Sequence, residues 1–169
     1  MQSTVASRSI PKGLLAGAVA GLVGSVALRL WTTAFSKLHA NTCLPDSNGP
    51  AHQVGALVAE KFTRRPLTPG GRLLAGEVTH YAFGTVNGAI YGALAERYPW
   101  TTAGQGLLFG LGVFLAADES SMPALGLIPP PWRETPAAQL EHLAAHLVFG
   151  ITTEFTRNLL REAKSNPEI

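Results

Sequence analysis

The chain has 169 residues, enough for one domain with a core of several helices, and only 14% of them are charged, against about a quarter in an ordinary soluble domain. A net charge of +2, with no basic stripe interleaved with aromatics, sets aside a nucleic-acid partner. The single cysteine, Cys43, rules out an intramolecular disulfide.

The first predicted element is a helix over about 12–38. Arg8 and Lys12 precede an uncharged run, Gly13–Leu28, an arrangement shared with secretory signals. The apolar character resumes beyond Arg29 through Leu30, Trp31 and Phe35 with no small-x-small cleavage site, so a retained helix is expected, long enough to cross a hydrocarbon core of about 30 Å. Gly13, Gly17 and Gly21 recur every four residues and form a ridge onto which another helix can pack. Arg29, near the end, is expected to snorkel toward headgroups.

A polar connection follows. Its turn cluster, Pro45 to Pro50, precedes Val54, Leu57, Val58 and Phe62 at helical spacing, flanked by Glu60, Lys61, Arg64 and Arg65. This predicts a short amphipathic helix over about 50–65, either lying on a membrane surface or packed on a protein core. Pro66 and Pro69-Gly70-Gly71 are expected to end it.

Helix two is predicted over about 73–97, with Gly84, Gly88 and Gly92 as a second small-residue ridge. Asn87, near its middle, is expected to hydrogen-bond another helix. Tyr98-Pro99-Trp100 is a turn with aromatics suited to an interface. Helix three is predicted over about 101–122, with Gly106 and Gly110 four apart, and ends at Pro123, Gly126 and the Pro129-Pro130-Pro131 run. Helix four follows Pro136, over about 137–163. Glu154 and Arg157, one turn apart, predict a local ion pair.

If these four helices span a bilayer in alternating directions, Glu77, His80, Asp118, Glu119, His142 and His146 all fall near the side opposite the termini. Charge is expensive inside a membrane, so such groups face one another, a cavity or the interface. Glu77 and His80 form Glu-x-x-His, which places them on neighbouring turns, and His142 and His146 are four apart on one face. A buried His–Asp contact that orders helices is the leading account of His80, Asp118 and His146, and residues near helix ends also read as simply solvated. The set loosely resembles the ligands of a helix-bundle metal centre, so a metal ion held by His142, His146, His80 and Asp118 is an alternative. A di-iron carboxylate set would need a second Glu-x-x-His and two further Glu. No other cofactor is expected.

Catalytic signals are thin. Ser120 and Ser121 lie beside Glu119, but no Gly-x-Ser-x-Gly elbow, phosphate loop or nucleotide fingerprint is present, and an enzyme is the lesser expectation. Lysine and arginine divide six against six between the two sides. The charges on the non-terminal side sit mostly in the long connection, which favours cytoplasmic termini.

The order of Thr79-His80-Tyr81, Tyr98-Pro99, Gln105-Gly106-Leu107-Leu108, Pro123-x-x-Gly126-Leu127-x-Pro129-Pro130 and His146-Leu147-Val148 with Glu154 and Arg157 resembles the YagU-like family of uncharacterised bacterial inner-membrane proteins. The resemblance spans roughly the C-terminal 95 residues and implies a helical inner-membrane protein without an established activity. The adjacent acids Asp118 and Glu119 are not expected in every relative.

The expectation is therefore all-α: one domain over 1–169, an integral membrane four-helix bundle with a short interfacial amphipathic helix between helices one and two. Its partner is the lipid bilayer, and its Gly-rich faces would also permit a homo-oligomer. The functional expectation is a component whose His and carboxylate layer responds to or conducts protons or cations. The alternatives are an accessory membrane protein without transport, or a metal-binding one. A soluble helical bundle is the outside reading, given a mean hydropathy of only +0.17.

Overall fold

The computed structural model describes residues 9–38 and 50–163, and every regular element among them is helical. The order is α1 (Ile10–Leu38), α2 (Pro50–Thr63), α3 (Pro69–Arg97), α4 (Leu107–Ala116) and α5 (Pro136–Ala163). Short 3-10 turns at Pro99–Thr102 and Pro131–Arg133 join the later helices. Cys43 and the Pro45–Gly49 part of the turn cluster lie outside the described residues.

Two boundaries differ from the sequence expectation. Pro69-Gly70-Gly71 does not terminate a helix but begins α3. Thr68 is its N-cap, accepting from the Gly71 amide at 3.2 Å, and Pro69 occupies the first turn, where its missing N–H costs nothing. The preceding helix ends earlier, at Thr63, where Arg64 takes a left-handed φ of 53°. The third long helix starts at Leu107 rather than near 101. Gly104, Gln105 and Gly106 have φ of 74°, 52° and 90°, a left-handed run that no helix accommodates. Beyond Ala116 the helix passes through one π-helical turn, Ala117–Ser121, and ends with Met122–Ala124.

α1 runs antiparallel to α3 at backbone contact. Gly13 meets Gly92, Gly17 meets Gly88 and Gly21 meets Gly84, so both predicted ridges lie in one seam. A Cβ at Gly17 would lie 2.1 Å from the Gly88 carbonyl oxygen, which leaves room for glycine alone. α1 also packs on α5, where Gly24 sits against Phe149 and Thr153, and α4 meets α5 through Gly106, Gly110 and Gly150. α2 packs on the first turns of α3 through Gly55 against Ala75 and the His52 ring over Gly76.

The interior is consequently built largely from small and polar groups, with a few aromatic rings among them. The largest fully buried side chains are Thr153 and Ser25, each hydrogen-bonded to the carbonyl four residues earlier. Tyr91, Phe114, Phe149 and Val113 are buried beside them, but most bulky aliphatic side chains point outward, including Leu15, Val19 and Leu30 on α1 and Val78, Val86 and Ile90 on α3, as does Phe155 on α5. Judged by length and composition, one helix among the described residues can cross a membrane, over Ile10–Phe35. α3 and α5 fall short on that measure because glycine, threonine, histidine and asparagine lower their hydropathy, even though Val78–Ala95 carries no charged side chain.

Candidate functional site: a histidine and carboxylate layer

The elements bring most of the predicted polar residues to one end of the bundle, opposite the starts of α1 and α4. Arg29, late in α1, pairs with Glu77, early in α3, at 2.6 Å. Snorkelling was the sequence expectation for Arg29; the structure gives its partly exposed guanidinium a carboxylate on the neighbouring helix, because the antiparallel seam sets the two residues at the same level. One turn on, the His80 ring is half-buried and its Nε2 donates to the Ser25 carbonyl at 3.2 Å. The Ser25 hydroxyl bonds back to the Gly21 carbonyl and sits where Gly84 has no side chain. His80 is also within electrostatic range of Glu77, Arg29 and His146.

Across the bundle, His146 Nδ1 donates to the His142 carbonyl at 2.9 Å and lies 3.6 Å from Asp118 Oδ2. Phe114 covers the ring, with centroids 5.8 Å apart. Asp118 is held there by the π-helical turn, whose extra residue re-aims side chains relative to a regular helix. Ser120 and Ser121 donate to carbonyls five residues earlier, Leu115 and Ala116, at 2.7 and 2.6 Å, as the wider turn demands. The seryl hydroxyls are thereby committed to backbone and stand as helix-closing groups rather than nucleophiles.

His142 and Glu119 sit at the edge of this layer. His142 Nδ1 lies 3.8 Å from Glu134 Oε2, a partner the sequence reading did not identify because it comes from the proline-rich loop. Glu119 is half-exposed and joins none of these pairs. Among the described residues, no group of three or more His, Cys, Asp or Glu lies close enough to hold a metal ion. His80 is turned to α1, His146 to Asp118 and His142 to Glu134, so of the four proposed ligands only His146 and Asp118 meet.

Because the Arg29–Glu77 pair is about one-third exposed on both sides, Arg29→Gln should lower stability by only about 1 kcal/mol or less, checked by thermal unfolding beside Glu77→Gln. A loss several times larger in both variants would show the pair to be a structural clamp.

The opposite end carries a second, more deeply buried charge cluster. Glu154 accepts two bonds from Arg157, at 2.7 and 2.8 Å, which gives the predicted local pair a bidentate form. Asn158 bonds both partners. Beside them Arg161 reaches α3 to hold Glu96, at 2.7 and 2.9 Å. Glu96 also accepts the Ser9 amide at 3.0 Å, placing a carboxylate at the positive end of the α1 dipole. Glu96 was missed in the sequence because it precedes the chain's interface turn and reads as a solvated helix end. Its only signal was the i, i+4 recurrence after Gly88 and Gly92, which puts it on the seam.

Asn87 does not bridge helices as expected; it donates to the Phe83 carbonyl of its own helix at 2.9 Å. It borders a lateral cavity of about 300 Å³ between α3 and α4, shared with Tyr91, Leu108, Phe109 and Gly112. Tyr91 stacks on Phe109 at 4.1 Å, and its hydroxyl lies beside the Glu154–Arg157 pair without a hydrogen bond of good geometry.

The family model for Protein of unknown function (DUF1440) matches residues 69–155, just over half of the chain. The chain belongs to that family. The DUF1440 match opens on Pro69, the first residue of α3, and runs to Phe155 in α5. It contains His80, Asp118, His142 and His146, and the acids Glu96 and Glu154, but neither α1 nor Arg157 and Arg161. No curated protein and no solved structure gives a significant match to the chain.

Proposed function

We propose that this DUF1440 protein is a multi-pass inner-membrane protein whose His80, Asp118 and His146 layer responds to protons at one membrane face. The observation that carries the reading is the inverted distribution of side chains, with glycine, serine, threonine and paired charges inside and bulky aliphatic groups outside. In water, burying apolar surface drives folding, and a bundle that exposes Leu15, Val86 and Phe155 while burying Ser25 would forgo that gain. In lipid, close glycine packing and internal pairing of charge are the favourable arrangement.

The spacing of the polar layers agrees. At 1.5 Å per residue, Glu77 and Glu96 are about 29 Å apart along α3, and His142 and Arg161 are equally far apart along α5. A hydrocarbon core is about 30 Å thick. Aromatic side chains mark the two ends, with exposed Trp100 and Tyr98 at one and Trp31 and Trp132 at the other. The resemblance to the YagU-like family and the weaker pull of distant Lys and Arg residues favour the inner membrane with cytoplasmic termini.

Conduction is the weaker half of the functional reading. Between the two polar layers α1 and α3 touch at Gly17 and Gly88, which leaves no room for a water file between those two helices. The layer is better placed to sense protonation, because imidazole titrates in the physiological range. An accessory role without any response is the second reading, supported by the carbonyl partners that already orient His80 and His146.

The test is a triple substitution, His80→Gln, Asp118→Asn and His146→Gln, in protein reconstituted into vesicles. Wild type is expected to change in thermal stability between about pH 5 and 7, and the variant to lose that dependence while remaining inserted. A uniform loss of stability at every pH would support the accessory reading. An unchanged profile would sink the sensing reading, and extraction of wild type from membranes by alkaline carbonate would sink the membrane reading itself.

A further inference from the structure

α2 presents its apolar stripe to the outside. Gly55, Ala56 and His52 face α3 and are buried, whereas Leu57 and Val58 point away from α3 and Phe62, in the last turn, is 84% exposed. The sequence left open whether this stripe packs on protein or lies at a surface, and the structure gives the protein-facing role to the small residues. A 14-residue helix held by glycine and alanine contacts has its large side chains left over for another surface.

The charges around that stripe have one sign. Lys61 lies between Leu57 and Val58 on the helical wheel, and Arg64 and Arg65 follow at the end of the helix. All three are exposed and none has an ion-pair partner among the described residues. The acid of this segment, Glu60, is turned away from them: it accepts from Arg72 at 2.8 Å and from the Leu67 amide at 3.1 Å. The left-handed φ of Arg64 ends the helix and turns the chain toward α3, so the cations collect at the rim of the exposed apolar face.

An apolar strip with cations along its edge matches a bilayer interface, where long basic side chains reach phosphate while the stem and neighbouring aliphatic groups enter the acyl boundary. A protein partner of ordinary composition would not require three unpaired cations on one side. We infer that α2 is a lipid-docking arm that seats Leu57, Val58 and Phe62 in the interface and binds anionic headgroups through Lys61, Arg64 and Arg65. This rests on the membrane reading above and adds to it the class of lipid recognised. Because α2 is packed on Ala75, Gly76 and Thr79, one turn from Glu77 and His80, lipid bound to the arm would press on the same turns of α3 that build the polar layer.

The experiment uses the full chain with Cys43→Ser and Val58→Cys, labelled at position 58 with an environment-sensitive fluorophore and reconstituted into phosphatidylcholine vesicles with or without 30% phosphatidylglycerol. Alkaline carbonate resistance is measured on the same samples, so failed membrane insertion is distinguished from failed docking. Docking predicts a blue-shifted emission that lipid-borne quenchers suppress, and a further shift with the anionic lipid that high salt reverses. Lys61→Gln, Arg64→Gln and Arg65→Gln together should abolish that anionic increment while the protein stays inserted. Inserted protein with a water-exposed probe in both vesicles would overturn the inference. So would an anionic increment that survives the three substitutions, or crosslinking at position 58 to a second copy.

Discussion

Gly88→Leu is expected to prevent the bundle from closing, with a loss of about 3 kcal/mol or more and no folded state at moderate temperature. The reason is local and severe. A Cβ at position 88 would lie 2.3 Å from the Gly17 carbonyl oxygen and 2.6 Å from the Gly21 Cα. Both obstacles are backbone, so no rotamer change relieves them, and α1 and α3 must separate along the seam. Separation would also withdraw the Ser25 carbonyl from His80 and Glu77 from Arg29. The control is Gly112→Ala, where nothing lies within 4 Å of the added methyl. That substitution should be neutral or stabilising by up to about 1 kcal/mol through helix propensity. Thermal unfolding of the two variants in detergent, followed by circular dichroism, decides the matter. Equal midpoints would mean that the α1–α3 seam does not hold the bundle together.

The second large effect is expected at the buried charges. Glu154→Leu removes the carboxylate that holds Arg157 through two bonds and strands a guanidinium whose side chain is only 9% exposed. Breaking one half of a buried pair costs about 3–5 kcal/mol, most of it the burden of the uncompensated charge. Glu154→Leu with Arg157→Leu should therefore recover most of that loss, because two apolar groups of similar reach leave no charge behind. A double variant as unstable as the single one would contradict the assignment. It would indicate that Arg157 serves Glu96 or Tyr91 rather than Glu154, since both lie within electrostatic range of it.

Much of this architecture was legible in the sequence because it is periodic. Glycines every four residues on two segments can lie on one face of each helix, and the antiparallel order of successive long helices leaves few ways to join them. The alternation of direction likewise put Glu77, His80, Asp118 and His146 near one end before any distance was known. Irregular backbone was not legible. Gln105 with a left-handed φ and the π-helical turn at Asp118 are local departures that no spacing rule signals, and each shifts the residues after it. Thr68-Pro69 did carry a helix-start signal, but the adjacent glycine pair outweighed it in the reading, since two glycines more often end a helix than open one.

Partner choice was the other blind spot. Arg29 has no acid within a turn, Glu96 has no cation on its inner face, and Glu134 lies in a proline-rich loop, so pairing by spacing along one helix could not connect them to Glu77, Arg161 and His142. Among the described residues no three of the candidate metal ligands come together, and spacing could not have foretold that either. Histidine spacing shows which rings share a face but not whether neighbouring helices turn their own ligands toward them.

The sequence by itself determined an all-helical chain, the glycine faces, the level of each polar residue along its helix and the amphipathic character of α2. These follow from helical geometry, in which position along the axis and angle around it are read from residue number alone. The tertiary structure decided which faces meet, which charge answers which, and which side of α2 stays outside. Those outcomes depend on contacts between residues far apart in the chain, where a glycine's missing Cβ, rather than any attraction of its own, admits one helix to another.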